Sequence, residues 1–336
     1  MLSRDDISRM IRGGTEGLRE RADAERRRLC GDEVHLRGIV EFSNVCSRDC
    51  LYCGLRRSNA RLSRYSMGPD EIVAAAEAAF REGVRTIVLQ SGENDAMTAE
   101  RMAGIVAAVK ERLDVAVTLC VGARSEELYR ACREAGADRY LLRHETANAR
   151  LHAELRPDSS LEDRLGALRT LRRLGYQVGC GSMIGLPGQT ADDLADDLLL
   201  AREMDADMAG FGPFVPHPDT PLGGESAGDI ELSLRVFAAA RLVLGPVHLP
   251  ATCAMDAIHP DGRQSALQWG ANVIMADVTP MEYRSLYAIY PFERSQNSIE
   301  RVKAILERLG RPLGTGRGDS LKRGGAREPA RSGRRR

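Results

Sequence analysis

Three cysteines in one short stretch, Cys46, Cys50 and Cys53, form a CxxxCxxC array with the residue types of a metal site. The apolar residues at 39–42 predict a strand, so the array lies on the loop that leaves its carboxyl end. A four-iron cluster usually takes four thiolates, and three would leave one iron free for a ligand from outside the protein. Zinc or three plain buried thiols are alternatives, but zinc usually needs a fourth protein ligand and the nearest downstream histidine is His144. The spacing therefore favours an iron–sulfur cluster.

Other predicted loops carry groups that could bind a small ligand. The stretch 90–93, Gln-Ser-Gly-Glu, follows the second predicted strand, where glycine lets a backbone approach a ligand and the carboxylate can pair with an ammonium. A plain turn is the alternative. Residues 143–148, which include Glu145, are dense in hydrogen-bonding groups, although a buried salt bridge would explain them almost as well. The glycine-rich stretch 179–188 around Ile184 suggests that adenine or a neighbouring backbone comes close to it.

Two further stretches hold candidate catalytic groups. Residues 212–221 contain four prolines, which predict a rigid loop, and His217 within it is a candidate acid/base group. A lone loop histidine is more often inert. Tyr283 and Tyr287 lie in a tyrosine-rich segment and could line the far side of a cavity, although core anchors would look the same.

Strand and helix predictions alternate along the chain. Strands are predicted at 38–42, 86–89, 115–120, 140–142, 177–184, 209–211, 250–253 and 271–275. After two short helices in residues 3–29, helices are predicted at 69–82, 99–112, 125–135, 160–174, 190–204, 230–244 and 260–269. This α/β pattern favours a (β/α)8 barrel of the TIM type with an N-terminal helical extension, in which the loops after the strands share one mouth. An open six-stranded sheet is the rival.

The chain divides into an N-terminal helical cap at residues 1–35, the barrel at 36–310 and a basic tail at 311–336. From Arg311 onward nine Lys and Arg face two Asp and Glu, a charge of +7, so the rest carries −7 in a chain of zero net charge. Such a glycine-rich basic segment predicts disorder. The body shows no basic stripe, no long apolar run and no secretion signal, so we expect a cytoplasmic protein that binds neither nucleic acid nor membrane.

Together these motifs resemble the radical S-adenosylmethionine (SAM) superfamily and, within it, the HydE family of FeFe-hydrogenase maturases. The most specific strings are residues 41–57, 87–93, 138–148, 181–190, 212–222 and 270–275. The resemblance implies one 4Fe-4S cluster on Cys46, Cys50 and Cys53, with SAM bound to its open iron and cleaved reductively. The implied task is assembly of the hydrogenase H-cluster.

The same resemblance implies roles for individual residues. The stretch 90–93 would contact the methionine part of SAM, Tyr52 would lie near adenine, Glu145 near the adenosine and Arg164 near the carboxylate. The full set of implied SAM contacts is Tyr52, Gln90, Ser91, Gly92, Glu93, Glu145, Arg164, Ile184 and Met275. The substrate would be a small cysteine-ligated iron carbonyl and cyanide complex inside the barrel. HydG and HydF are the implied partner maturases, with flavodoxin or ferredoxin as electron donor.

Two features depart from this family. No cysteine follows Cys253, so the second cluster of some HydE proteins is not expected. Cys120, Cys180 and Cys253 fall on the third, fifth and seventh predicted strands, where the family has serine, alanine and threonine, and could converge on an auxiliary cluster. That would favour a sulfur-inserting or amino-acid-rearranging enzyme, like biotin synthase or methylornithine synthase, whereas small core thiols are the plainer explanation. A cluster-carrying scaffold without activity is a further alternative.

Overall fold

A nearly closed barrel of parallel strands forms the centre of the computed structural model, which describes residues 2–13, 15–291 and 297–322. The strands, in chain order, are β1 His35–Ser43, β2 Thr86–Ser91, β3 Ala116–Cys120, β4 Arg139–Leu141, β5 Gln177–Cys180, β6 Met183–Ile184, β7 Met208–Ala209, β8 Gly212–Pro213, β9 Pro250–Ala251 and β10 Val273–Asp277. Eight of them pair in parallel in the order β7, β5, β4, β3, β2, β1, β10, β9. A parallel bridge between Met208 and His248 brings the two edges together. The barrel prediction is confirmed, and the open six-stranded sheet is wrong.

Helices separate the strands and cover the outside of the barrel. In chain order they are α1 Arg4–Ile11, α2 Leu18–Cys30, α3 Pro69–Arg81, α4 Ala99–Arg112, α5 Glu126–Glu134, α6 Ala149–Leu155, α7 Leu161–Arg173, α8 Ala191–Glu203, α9 Ile230–Leu244, α10 Cys253–Ile258, α11 Gly262–Gln268, α12 Met281–Arg284 and α13 Ile299–Leu309. Local chemistry fixes their starts: Thr98 accepts a hydrogen bond from Arg101 N, and Thr190 and Asp193 form a reciprocal capping box. The helices α6, α10, α12 and α13 lie outside the predicted ones.

The first two helices lie against the barrel's outer helices, α1 on α8 and α2 on α9. Ile7, Met10 and Ile11, one apolar face of α1, are buried, and Arg4 donates to Asp196 at 2.6 Å. Burial of this face is what holds a helix of only two turns in place. The predicted N-terminal helical extension is confirmed.

The predicted strand at 177–184 is interrupted after Cys180. Gly181 has a φ of +143°, and a Cβ built on it would lie 2.6 Å from the carbonyl carbon of Gly210, so only glycine fits there. Beyond the break, β6 pairs with β8 and raises this side of the barrel wall. Of the two explanations for the glycine-rich stretch, the close approach of a neighbouring backbone therefore accounts for Gly181.

Residues 311–322, which the sequence assigns to the basic tail, run across the amino-terminal end of the barrel. Leu313 pairs with Val34, Asp319 accepts from Arg139 at 2.8 Å and Ser320 donates to Asp207. The remainder of the predicted tail, 323–336, lies outside the described residues. In the described ranges, none of the helices has the length and apolar character needed to span a bilayer.

Candidate active site at the mouth of the barrel

A cavity of about 320 Å³ opens where the strands end at their carboxyl termini. The loops after β1, β2 and β4 and the helix α7 supply its polar wall, because in a parallel barrel these segments meet at one end. The predicted site residues that line the cavity are Cys46, Cys50, Tyr52, Cys53, Gln90, Ser91, Gly92, Glu93, Glu145, Arg164, Met275 and Tyr287.

The cysteine-bearing loop is anchored to two other parts of the mouth. Ser47 N donates to Glu93 O at 2.8 Å, and Leu51 N donates to Leu155 O at 3.0 Å. The three cysteines of this loop are free thiols that border the same cavity. The loop is therefore ordered by contacts with protein atoms.

Electrostatics at this loop disfavours bare thiolates. Burial raises the pKa of the Cys50 and Cys53 thiols, and Cys50 raises that of Cys53 further, while Arg156 lowers both. A coordinated metal reverses this balance, because a thiol bound to a cation is deprotonated. No three His, Cys, Asp or Glu side chains in the described residues could share a single metal ion. A four-iron cluster takes each cysteine on a different iron.

Two glycines let other groups approach the loop closely. A Cβ built on Gly92 would lie 2.8 Å from Cys46 Cβ, so the backbone after β2 sits directly against the first cysteine. A Cβ built on Gly54, which follows Cys53, would lie 2.6 Å from the His217 ring. A side chain at Gly92 would therefore collide with Cys46, and one at Gly54 would collide with His217.

Glu93 is a buried carboxylate surrounded by arginines. Arg48 Nε donates to its Oε1 at 2.7 Å, Arg164 Nη1 lies 3.4 Å from Oε2 and Arg156 Nη2 lies 3.8 Å from Oε2. Burial raises the pKa of Glu93, but Arg164, Arg156 and Arg48 outweigh it, and the net shift is downward. The carboxylate stays charged, and its position is fixed from three sides.

Glu145 holds a backbone conformation that is uncommon for its residue type. Its φ is +71°, and the conformation is maintained by bonds from Glu145 N to Gly181 O and from Met183 N to Glu145 O, both 3.0 Å. Its pKa is lowered, because Arg143, Arg164 and Arg156 together outweigh the effect of burial. A residue in this region costs about 1–3 kcal/mol, and such strain concentrates at ligand sites. Glu145 is thus an ionised carboxylate aimed into the cavity.

Comparison with known proteins identifies the family. A model of the radical SAM superfamily matches residues 40–201. The FeFe-hydrogenase maturase subunit HydE of Thermotoga maritima is 53% identical over 308 residues, which cover 90% of this chain and 88% of that protein. The chain belongs to the HydE family of radical SAM enzymes. The non-enzymatic scaffold is therefore wrong.

Solved structures share the fold of this HydE-family chain. Methylornithine synthase PylB superposes with a TM-score of 0.81 at 24% identity and covers 94% of both chains. The maturase HydG from Carboxydothermus hydrogenoformans superposes with a TM-score of 0.78 at 18% identity, over 91% of this chain and 75% of that one. At such identities the likeness establishes the barrel alone.

Membership of the HydE family implies a 4Fe-4S cluster and SAM as cofactors, and the residues present fit both. Thiolates are the ligands of such clusters, and three free thiols border one wall of the cavity. Beside them, Gly92 leaves room for close approach, and the charged Glu93 and Glu145 offer acceptors for an ammonium and for hydroxyl groups.

Three predicted site residues do not line the cavity. Ile184 packs in the main core while the preceding residue, Met183, faces the cavity, because successive strand residues point to opposite faces. His217 packs beneath Gly54, and its Nδ1 accepts from Asp219 N at 3.1 Å. Tyr283 stacks on Tyr65 outside the cavity and donates to Glu71 at 2.7 Å. His217 and Tyr283, which were predicted to be catalytic, thus contact other protein groups outside the cavity.

The three cysteines considered for an auxiliary cluster, Cys120, Cys180 and Cys253, lie in different surroundings. Cys120 and Cys253 line the cavity, but Cys180 is fully buried in the main core. Cys253 begins α10 and does not lie on β9, so the predicted seventh-strand position is wrong; Asn297 Nδ2 lies 3.0 Å from its sulfur. Cys180 therefore does not border the space that Cys120 and Cys253 share.

Glu41 and Arg156 are among the cavity residues that sequence reasoning missed. Glu41 lies two residues after Ile39 on the same inner face of β1, and its Oε1 accepts from Gln90 Nε2 at 3.4 Å. The period-two pattern of this strand was a usable signal. Arg156, directly after α6, also lines the cavity, and nothing in the sequence around it pointed there.

Proposed function

We propose that this chain cleaves SAM reductively at a single 4Fe-4S cluster and uses the resulting radical in assembly of the FeFe-hydrogenase H-cluster. The substrate proposed is a small cysteine-ligated iron complex that bears carbon monoxide and cyanide. The 53% identity to the HydE of Thermotoga maritima supports this role. The observation that carries it is that the CxxxCxxC loop and the polar loops after β2 and β4 border one cavity.

In this proposal Cys46, Cys50 and Cys53 hold the cluster. When bound and reduced, the cluster supplies the electron that splits SAM into methionine and a 5′-deoxyadenosyl radical. The stretch 90–93 binds the methionine part, and Arg164 binds its carboxylate. The position of Glu93 supports this, because its carboxylate is already fixed and ionised beside the cysteine loop.

Glu145 and Tyr52 take the adenosine end of SAM in the same proposal. Glu145 would accept hydrogen bonds from the ribose hydroxyls, and Tyr52 would lie against the adenine. An apolar group of Leu151, Leu155, Met183, Leu186 and Phe214 packs against Tyr52, which supports a dry surface for a flat base.

The substrate would occupy the deeper, more apolar part of the cavity. Ile39 and Met275 pack together there, and Tyr287, which is 2% exposed, closes one side. Exclusion of water by these side chains would protect a carbon-centred radical from side reactions. HydG would supply the precursor, HydF would receive the product, and flavodoxin or ferredoxin would supply electrons.

Anaerobic reconstitution tests the proposal in two steps. The full chain should take up about four irons, as one cubane requires, and SAM with dithionite should then yield 5′-deoxyadenosine and methionine. Addition of the product of the HydG reaction should change the fate of the adenosyl group. A loaded cluster that leaves SAM intact would contradict the cleavage; intact cleavage without any effect of the HydG product would contradict the substrate.

A further inference from the structure

Arg156 is a buried cation placed between the cysteine loop and the residues assigned to SAM. Its side chain is 6% exposed. Nη1 donates to Tyr52 Oη at 2.7 Å, and Nη2 lies 3.8 Å from Glu93 Oε2. Its Nε has no hydrogen-bond partner among the described residues. The Arg156 guanidinium therefore links Tyr52, which lies between Cys50 and Cys53 in the sequence, to the carboxylate of Glu93.

The backbone around Arg156 is itself bound to the cysteine loop. Leu155 O accepts from Leu51 N at 3.0 Å, and Asp158 Oδ2 accepts from Asp49 N at 2.8 Å. These contacts flank Arg156 on both sides. Its guanidinium is thus held at a fixed position relative to the loop, and a fixed donor loses little entropy when it orders a neighbour.

The charge of Arg156 also lies close to the thiols. Arg156 borders the same cavity as Cys46, Cys50 and Cys53, and its partner Tyr52 directly precedes Cys53 in the chain. Reduction adds one negative charge to a cluster that three thiolates already make anionic. A buried cation attracts that added charge more strongly than an exposed cation would, because the protein interior screens charges less than water does, and net charge nearby is one of the factors that set cluster potentials.

We propose that Arg156 is a positioning residue that orients Tyr52 and Glu93 for SAM and raises the reduction potential of the cluster. This rests on the proposed function, since it assumes a cluster on the three cysteines. Its two parts depend on different properties of the side chain: the orientation needs the forked donor geometry of arginine, and the potential needs only the positive charge.

Three variants of the reconstituted full chain separate these properties. Arg156→Met removes charge and donors, Arg156→Lys keeps the charge but not the fork, and Arg150→Met is the control. Arg150 lies on α6, the helix that Arg156 directly follows, is 71% exposed and pairs only with Glu154 in the described structure. Iron per chain, the midpoint potential of the cluster and the SAM dissociation constant, read from the change in the cluster's EPR signal, are measured for each.

We expect Arg156→Met to shift the midpoint potential to a more negative value and to weaken SAM binding about tenfold, as loss of a charged hydrogen bond implies. Arg156→Lys should keep a potential close to the wild type while binding SAM as weakly as the methionine variant. Arg150→Met should match the wild type in all three measurements.

An unchanged potential and affinity in a loaded Arg156→Met protein would overturn the inference. Should that variant fail to take up iron, the lysine variant decides: a shifted potential, or SAM binding equal to the wild type, would overturn it. Failure of the wild-type chain to load or to cleave SAM would instead count against the proposed function, so the two failures are distinguishable.

Discussion

The two ends of the barrel use buried arginines in different ways. At the amino-terminal end Arg139 donates to Thr86, to Gln177 and to Asp319 from the segment that crosses this end. The space left there is about 10 Å³, against about 320 Å³ at the mouth. At the mouth, half-buried Arg143 and buried Arg156 keep buried nitrogens without hydrogen-bond partners in the described structure. The same side chain is structural where the chain supplies its acceptors and is available to a ligand where it does not.

An apolar layer separates these two environments. Ile39, Val88, Met208 and Met275 pack together across the barrel interior between the base and the mouth. Below it, fully buried Arg37 also has two nitrogens without partners among the described residues, but the space beside it is about that of one water molecule. The comparison teaches that free volume, as well as an unpartnered donor, distinguishes a binding end from a sealed one.

Loss of one of the three cysteines proposed to hold the cluster should give the largest effect, and that effect should be confined to the reaction at the mouth. Cys50→Ala should reduce SAM cleavage by roughly 100-fold or more, because a cluster without one of three ligands is not held. Iron content and 5′-deoxyadenosine are the measurements. Cys30→Ser, at the end of α2, is the matched thiol control. Equal cleavage of SAM by Cys50→Ala and Cys30→Ser would show that the cysteine loop takes no part in the reaction.

At the base the largest effect should be on stability. Asp319→Asn leaves buried Arg139 without its carboxylate, so the free energy of unfolding should fall by about 1–3 kcal/mol with unchanged iron content. Urea denaturation measures it. Asp114→Asn removes a carboxylate that is 89% exposed and 3.7 Å from Arg317, and should change stability little. A loss of SAM cleavage at unchanged stability would show that the two ends are not separate.

Stability should also depend on pH, because His35 lies half-buried at the base of the barrel. Burial, with Arg37 and Arg139, lowers the pKa of His35 from 6.5 to about 4. The unfolded chain binds this proton first, so stability is complete above pH 6.5 and falls as pH drops toward 4, by up to about 1.4 kcal/mol per unit. His35→Gln should show a flatter pH dependence in urea unfolding than the wild type. Parallel curves for the two proteins would contradict the assignment.

The smallest expected effect separates the two candidate tyrosines. Tyr287→Phe changes a cavity wall and should alter the yield of processed substrate, whereas Tyr283→Phe, outside the cavity, should leave cleavage within about twofold of the wild type. Turnover with the HydG product measures both. A larger effect of Tyr283→Phe would mean that the cavity extends beyond its present wall in the working enzyme.

The sequence predicted the features that depend on near neighbours along the chain. Apolar periodicity and glycine or proline punctuation gave the order of strands and helices, and CxxxCxxC lies within one loop. Short elements such as α6 and α10 carried too few residues to show a period. The break at Gly181 was hidden because the opposing Gly210 is remote in sequence.

What the sequence alone determined is the alternation that makes a barrel and the placement of three thiols after its first strand. The tertiary structure decided which groups face the cavity: Met183 and not Ile184, Tyr287 and not Tyr283, and Arg156 beside Tyr52, a contact between residues 104 positions apart. Local propensity and spacing extend over a few residues, whereas these contacts depend on how strands and helices pack against one another after the barrel closes.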